Sequence, residues 1–204
     1  MKSRKKTVVS TILLSVLVIL VSYIYAHIDK NIYLYDRNVD TSTYYATGIL
    51  TQGEEVSQSF VSTEDNIDGI NIKVSLTGNV ENIILHYTLV DLITDEVYES
   101  QLYAKELENN KFNQLSVGRI TEAKGKPYEL VLKVENSDEQ NGISFYAAHG
   151  VVENQPLVIQ ESQSEGTLVA RIICHRFDIE TFIVFIGIIV FIVVFMKVLY
   201  KSIK

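Results

Sequence analysis

The sequence is poor in the residues on which several classes of protein depend. Its 204 residues include one cysteine, two prolines, four histidines and no tryptophan. A lone cysteine, Cys174, has no partner within the chain, so a disulfide-stabilised scaffold is excluded. The 25 acidic residues outnumber the 18 basic ones, and this balance disfavours binding to nucleic acid. With 47% hydrophobic residues, the chain still has enough apolar side chains to build a folded core.

Charge is also missing from two long apolar segments. Residues 7–26 contain no charged side chain, and residues 181–200 contain only Lys197. A helix of about 20 residues is about 30 Å long, which matches the hydrocarbon core of a bilayer. Outside the segment 27–180 the chain has no acidic residue at all. The sequence therefore predicts two transmembrane helices, at 7–26 and 179–200.

The basic residues at the two ends of the chain predict its orientation. Four of them lie within residues 1–6, and Lys201 and Lys204 follow the second apolar segment. The positive-inside rule then places both termini in the cytoplasm and the middle of the chain outside a plasma membrane. A cleaved signal peptide is the alternative for the first segment. We favour a retained anchor because Ile24 and Ala26 fit a small-x-small cleavage site poorly.

Between the apolar segments, hydrophobic residues alternate with a period of two, which is typical of strands. The clearest runs are 70–76, 83–89, 128–134 and 168–174, and Asn- and Gly-containing turns separate them. Tyr87 and Tyr128 fall on the apolar side of their runs and are predicted to belong to the core. We expect an all-β ectodomain, an antiparallel β-sandwich or jelly roll of about eight or nine strands.

The predicted organisation has six parts. They are a cytoplasmic basic tail (1–6), a transmembrane helix (7–26), an irregular juxtamembrane stalk (27–46), the extracytoplasmic β-sandwich (47–177), a second transmembrane helix (179–200) and a cytoplasmic tail (201–204).

Several short segments of the middle region resemble a jelly-roll module of bacterial envelope membrane proteins. They are VSQSF at 56–60, IDGINI at 67–72, LVDL at 89–92, LENNKF at 107–112, GKPYEL at 125–130, GISFY at 142–146 and GTL at 166–168. The resemblance covers about residues 48–176. Such modules are similar to carbohydrate-binding domains and accompany multi-span proteins of polysaccharide synthesis and export. The resemblance implies an envelope glycan or lipid-linked precursor as ligand and a multi-span glycan assembly protein as partner.

Residue patterns for catalysis are weak. The four histidines have no metal-binding spacing, and there is no nucleophile elbow or phosphate-binding loop. For sugar binding, which often uses an aromatic platform, the candidates are Tyr98, Tyr103 and Tyr146. We expect no cofactor. The alternative is a structural calcium ion at Glu64, Asp65 and Asp68, because calcium takes carboxylate oxygens from loops. Solvated turn residues are the favoured interpretation of these acids.

The leading hypothesis is a non-enzymatic two-span protein that assists assembly of a bacterial surface polysaccharide. Two alternatives remain. A chain-length regulator shares the two-span layout, but such proteins rely on long extracytoplasmic helices. A glycan-modifying enzyme would depend on His86 or His149.

Overall fold

A computed structural model of the chain describes residues 2–150 and 155–203. In the first helix it describes side chains at residue 9 and from residue 12 onward, so the side chains of the predicted tail 1–6 lie outside this description. The chain divides into two compact units. One comprises Met1–Asp29 with His175–Lys204, and the other comprises Lys30–Cys174.

The first unit contains two helices, α1 (Lys2–Tyr25) and α2 (Ile179–Ile203). Over the described residues, α2 is the one helix long and apolar enough to cross a membrane, and none of it is buried in protein. The apolar part of α1, Ile12–Tyr25, is shorter. One candidate span thus stands where the sequence predicts two.

The two helices meet at the ends that adjoin the β region. The rings of Tyr25 and Phe185 stack with their centroids 4.5 Å apart. The backbone N–H of Asp178 donates to the carbonyl of Ala26 at 2.8 Å. Asp178 then caps α2, because its carboxylate accepts from the backbone N–H of Thr181 at 2.8 Å. This cap begins the helix directly after the last strand.

The second unit is built from antiparallel strands, as the alternating pattern predicts. The strands are β1 (His27–Tyr33), β2 (Tyr45–Ala46), β3 (Glu55–Val61), β4 (Asn66–Ile67), β5 (Gly69–Thr77), β6 (Ile84–Asp91), β7 (Val97–Tyr103), β8 (Phe112–Leu115), β9 (Ile120–Thr121), β10 (Pro127–Glu135), β11 (Gly142–His149), β12 (Leu157–Ile159), β13 (Ser162–Ser164), β14 (Gly166–Leu168) and β15 (Ala170–Phe177). These fifteen strands exceed the eight or nine expected, and eight of them have seven residues or more. The remaining short strands are additional to the prediction.

The strands form two large sheets and one small one. The first sheet has the order β1-β15-β5-β11-β14, with β2 added on β11 and β8 on β5. The second sheet has the order β13-β12-β3-β10-β6-β7, and β4 pairs with β9. Inward-facing side chains of both large sheets belong to one buried cluster, the arrangement of a β-sandwich. A jelly-roll topology in particular stays a prediction.

The prediction of an irregular stalk at 27–46 is not matched by the structure. Strand β1 occupies its first part and is the neighbour of β15 at the edge of the first sheet. Ile32 and Leu34 pack against the core, while Tyr33 and Tyr35 alternate with them. A period of two was therefore present in this segment, but it covers too few residues to stand out among the surrounding polar ones.

The tyrosines assigned to the core are confirmed. Tyr128 is fully buried and Tyr87 is 3% exposed. Tyr128 stacks on Phe60 of the neighbouring strand β3, with ring centroids 5.7 Å apart. Burial is the main reason why the pKa of Tyr128 is raised, and the negative charge of Asp91 adds to it.

A buried glutamine links the two large sheets. Gln58 of β3 has no exposed surface. Its Oε1 accepts from the backbone N–H of Leu168 in β14 at 2.9 Å, and its Nε2 donates to the carbonyl of Gln155 at 2.9 Å. The side chain thus provides hydrogen-bond partners for the Leu168 N–H and the Gln155 carbonyl. A buried polar group without such a partner would be destabilising.

We expect Gln58→Leu to lower the free energy of unfolding by about 1–3 kcal/mol, because the Leu168 N–H would be left buried without an acceptor. Urea unfolding of the full chain in detergent, followed by the β-sheet circular dichroism signal, measures the change. Gln101→Leu, at an exposed position of β7, is the matched control and should leave the midpoint nearly unchanged. Equal midpoints for the two variants would contradict the prediction.

Candidate functional site

The acidic residues predicted as a calcium site are engaged in other contacts. Glu64 lies 3.5 Å from Lys30 Nζ, and Asp68 lies 3.6 Å from Arg119 Nε. Asp65 is exposed, and its backbone carbonyl accepts from Ala123. Nowhere in residues 2–150 and 155–203 do three or more His, Cys, Asp or Glu side chains form a group that could hold a metal ion. The geometry therefore gives the calcium hypothesis no support.

The other acidic clusters organise their own turns. Asp91 at the end of β6 accepts from the backbone N–H groups of Ile93 and Thr94, at 2.9 and 3.2 Å. Asp138 does the same for Gln140 and Asn141, at 2.7 and 2.8 Å. Hydrogen bonds of this kind are what aspartate supplies in turns. Both carboxylates therefore stabilise their turns, and Asp91 does so as a buried side chain rather than a solvated one.

The three candidate tyrosines do not lie on one platform. Tyr98 and Tyr103 belong to β7 of the second sheet, whereas Tyr146 belongs to β11 of the first. The ring of Tyr98 packs against the core, and its hydroxyl donates to Glu96 at 2.7 Å. That hydrogen bond, followed by burial, raises the pKa of Tyr98 to about 12. Tyr103 is 46% exposed, and Lys105 Nζ lies 5.0 Å from its ring centroid.

Tyr146 instead belongs to a group of rings and cations on the outer side of the first sheet. We call this group the aromatic–cationic face. It consists of Tyr33, Tyr35, Arg37, Tyr44, Lys73, Phe112, Tyr146 and Arg171.

Strand alternation places these side chains together. In β5, Ile70 and Ile72 face the core, so Asn71 and Lys73 face outward. In β15, Ala170 and Ile172 face the core, so Arg171 faces outward. The register pairs Arg171 with Asn71 and Phe112 with Lys73, which brings three neighbouring strands into contact on this side.

Each cation on the face rests on aromatic rings. Lys73 Nζ lies 4.8 Å from the ring centroid of Tyr146 and 5.4 Å from that of Tyr44. The guanidinium of Arg171 lies 3.9 Å from the ring centroid of Phe112 and 5.9 Å from that of Tyr33. These are distances at which the ring quadrupole attracts a cation. The contacts fix the positions of both charges.

The rings also hold one another. Tyr35 meets Tyr33 and Tyr44 edge to face, with centroids 5.6 and 5.7 Å apart. The hydroxyl of Tyr146 donates to Asn110. Burial, and then a hydrogen bond with Tyr44, raises the pKa of Tyr35, so its hydroxyl stays neutral. The face is therefore a set of ring surfaces, hydroxyls and positive charges that hold one another in position.

Sequence interpretation selected one member of this face, Tyr146, and missed the others. Tyr33, Tyr35 and Tyr44 lay in the segment taken for an irregular stalk. The signal that could have found them is the alternation of Ile32 and Leu34 with two tyrosines. The signal for Lys73 and Arg171 is their outward position in strongly alternating strands.

The histidines of the enzyme alternative lie apart in the fold. His86 is on β6 of the second sheet, where its Nε2 lies 2.9 Å from Glu135. His149 ends β11 of the first sheet, and its ring lies 4.8 Å from that of Tyr45. The two rings therefore belong to separate surroundings.

Comparison with known proteins gives little to add. No protein-family model matches the chain, and no curated protein sequence matches it. Among solved structures it is similar to "Crystal structure of infectious bursal disease virus VP2 subviral particle", with a TM-score of 0.29 and 11% identity, over 72% of this chain and 40% of that chain. The chain thus spans less than half of the viral chain. A similarity at this level carries no inference about function.

The structural role of Asp91 gives a prediction about acid stability. Its side chain is 2% exposed and lies 3.6 Å from Lys126 Nζ. Burial opposes ionisation, but the hydrogen bonds from Ile93 and Thr94 and the charge of Lys126 outweigh it and lower the pKa below 3.8. A carboxylate whose pKa is lowered by folding stabilises the protein above its unfolded pKa. That contribution is lost as the pH falls through the folded value.

We therefore expect the free energy of unfolding of the full chain to fall between about pH 5 and pH 3, and to fall less in Asp91→Asn. Urea unfolding in detergent at several pH values measures this. Asp65→Asn, at an exposed carboxylate, should keep the full pH dependence. A fall in Asp91→Asn as large as in the unaltered chain would show that Asp91 does not cause it.

Proposed function

We propose that the chain is a non-enzymatic bacterial envelope protein that crosses the plasma membrane twice. In this proposal both termini lie in the cytoplasm and the β-sandwich lies outside. The sandwich binds a glycan through the aromatic–cationic face and thereby assists assembly of a surface polysaccharide. The observation that carries the proposal is that face. Five rings and three cations are collected on one side of one sheet.

Sugar recognition favours such a surface for a physical reason. A pyranose has apolar C–H faces and polar hydroxyl edges, so it needs ring surfaces beside hydrogen-bonding groups. The face supplies both, since Asn71 and Gln114 also point outward, next to Arg171 and Phe112. The resemblance to carbohydrate-binding envelope modules agrees with this ligand class.

The membrane part of the proposal is supported by charge. Helix α2 is exposed and apolar over its length, and Lys201 lies in its last turn. The N-terminal apolar segment likewise has its basic residues on the side of the chain terminus, and no acidic residue precedes Asp29. A signal of this kind at both ends is what two spans with cytoplasmic termini require. The glycan, its lipid-linked precursor and a multi-span assembly protein are the partners that this placement would bring within reach.

The alternatives receive less support. A chain-length regulator would need long helices outside the membrane, but residues 27–177 as described contain only strands and two short turns of 3-10 helix, at Thr41–Thr43 and Ala104–Glu106. An enzyme would need a nucleophile or general base at a binding surface. His86 pairs with Glu135 on the second sheet and His149 packs against Tyr45 at the end of β11, so the two histidines do not form one site.

Topology can be tested by cysteine labelling. In a Cys174→Ala background, we expect Ser100→Cys on exposed β7 to react with a membrane-impermeant maleimide in intact cells. Ser202→Cys, beyond the second span, should react only after the membrane is opened. The opposite pattern would invert the orientation, and labelling of both positions in intact cells would contradict two spans.

Glycan binding can be tested with two matched tyrosines. We expect Tyr146→Ala to weaken binding of the full chain to immobilised acidic and neutral oligosaccharides about ten-fold, because a sugar ring loses its stacking surface. Tyr103→Ala, which removes an exposed ring from the other sheet, is the control and should bind like the unaltered chain. Calorimetry or surface plasmon resonance in nanodiscs measures the affinity. Absence of binding to every oligosaccharide tested would contradict the proposed function.

A further inference from the structure

The cations of the aromatic–cationic face differ in their partners from half of the basic residues within 30–174. Residues 30–174 contain 22 acidic and 10 basic side chains. Five of the basic ones form ion pairs with carboxylates: Lys30, Lys111, Arg119, Lys126 and Lys133. Arg37, Lys73 and Arg171 lie on rings instead and have no carboxylate within 4.0 Å among the described residues. These three positive charges therefore lie together on one face of an acidic unit.

Arg171 has unused hydrogen-bonding capacity. Its Nε is shielded from solvent and has no hydrogen-bond partner among the residues that the structure describes. A guanidinium carries five N–H donors in a planar fork that suits a carboxylate or a phosphate. Burying one of these donors without an acceptor costs free energy. An anion bound at the guanidinium would offset part of that cost by its charge.

The neighbouring strand positions around Lys73 and Arg171 carry no acidic side chain. The outward strand positions around them are Asn71, Ser75, Gln114, Ser144 and Thr167, all of them uncharged. Lys73 is diagonal to Arg171 across β5 and β15, an arrangement that separates the backbones by about 7–8 Å. One acidic sugar can bridge that distance, with its ring over the aromatic side chains and its anionic group between the cations.

We propose that the ligand of this face is an anionic glycan, bearing carboxylate or phosphate groups, which Lys73 and Arg171 bind directly. The inference rests on the proposed function and specifies the chemical class of its ligand. Charge complementarity is the reason for the choice, since a neutral sugar would leave both cations and the Arg171 Nε without an anionic partner. The net negative charge of residues 30–174 repels an anion at long range. Binding must therefore come from direct contact with Lys73 and Arg171.

A lipid surface is disfavoured as the occupant of this face. A protein surface that inserts into the headgroup region presents large exposed apolar side chains. In the described part of residues 30–174, the large exposed apolar side chains are Val61, Leu92, Ile93, Val97 and Tyr103, and none of them lies on the aromatic–cationic face. The rings of the face are buried or half-buried.

The test uses the full chain in nanodiscs of phosphatidylcholine. The probes are a short oligogalacturonide, the same oligosaccharide with its carboxylates reduced to alcohols, and a poly(glycerol phosphate). We expect at least one acidic probe to bind about ten-fold more tightly than the reduced one, and its affinity to fall as salt is raised. Lys73→Gln and Arg171→Gln should each remove most of this preference, whereas Arg171→Lys should keep part of it.

Lys105→Gln is the matched control, because Lys105 also lies over a tyrosine ring but on the second sheet. It should leave all affinities unchanged. Equal urea midpoints for the variants would show that the face is folded in each of them.

The outcomes distinguish a failure of the anionic-ligand inference from a failure of the proposed glycan binding. Equal affinity for the oligogalacturonide and its reduced form, both lost in Tyr146→Ala, would overturn the anionic ligand but keep a glycan site. An acidic preference that survives Lys73→Gln and Arg171→Gln would also overturn the inference. Binding to vesicles containing phosphatidylglycerol, abolished by the same variants while no oligosaccharide binds, would overturn both proposals and assign the face to the membrane surface.

Discussion

The core shared by the two large sheets determines which side chains the protein can present outward. Each strand of the first sheet must place alternate residues against the second sheet, because a slip of one position would bury Lys73 and Arg171 and expose Ile70 and Ile72. Burying those isoleucines contributes about 1.5–3 kcal/mol each, so the register is strongly favoured. The same register also determines which side chains lie on the outer face of the first sheet. Its aromatic and cationic residues are fixed in position by a core that they do not enter.

That constraint has an electrostatic consequence in an acidic unit. Half of the ten basic side chains of residues 30–174 reach a carboxylate, among them Lys30 on edge strand β1 and Arg119 and Lys126 outside the strands. Lys73 and Arg171 lie on central strands, where their neighbours across the sheet are Phe112 and Asn71. Rings replace acids as their partners, and a cation–π contact leaves the hydrogen-bond donors of the cation unused. Position within the sheet thus produces a surface that has charge available for a ligand.

Much of the fold could be predicted from the sequence, because the long strands alternate over seven residues or more. Alternation over 128–134 and 70–76 corresponds to β10 and β5, and the assignment of Tyr87 and Tyr128 to the core is confirmed. The strands of two or three residues, such as β4 and β9, carry too few positions for a period to be recognised. Strand β1 was missed for a different reason, since its apolar residues are interrupted by Asp29, Lys30 and Asn31. Its pairing with β15 is a contact distant in sequence, which no local pattern contains.

The candidate site was less predictable, because the sequence of a single strand does not show which strands lie beside it. Alternation says that a tyrosine points away from the residues beside it, but it does not say which sheet the strand joins. Tyr98 and Tyr146 both lie in strands, yet the first packs on the core and the second lies beside Lys73. Only the order of strands distinguishes them. A surface assembled from β1, β5, β8, β11 and β15 depends on four pairings, one of which joins segments about 140 residues apart. Its ligand-binding properties therefore belong to the topology rather than to any motif.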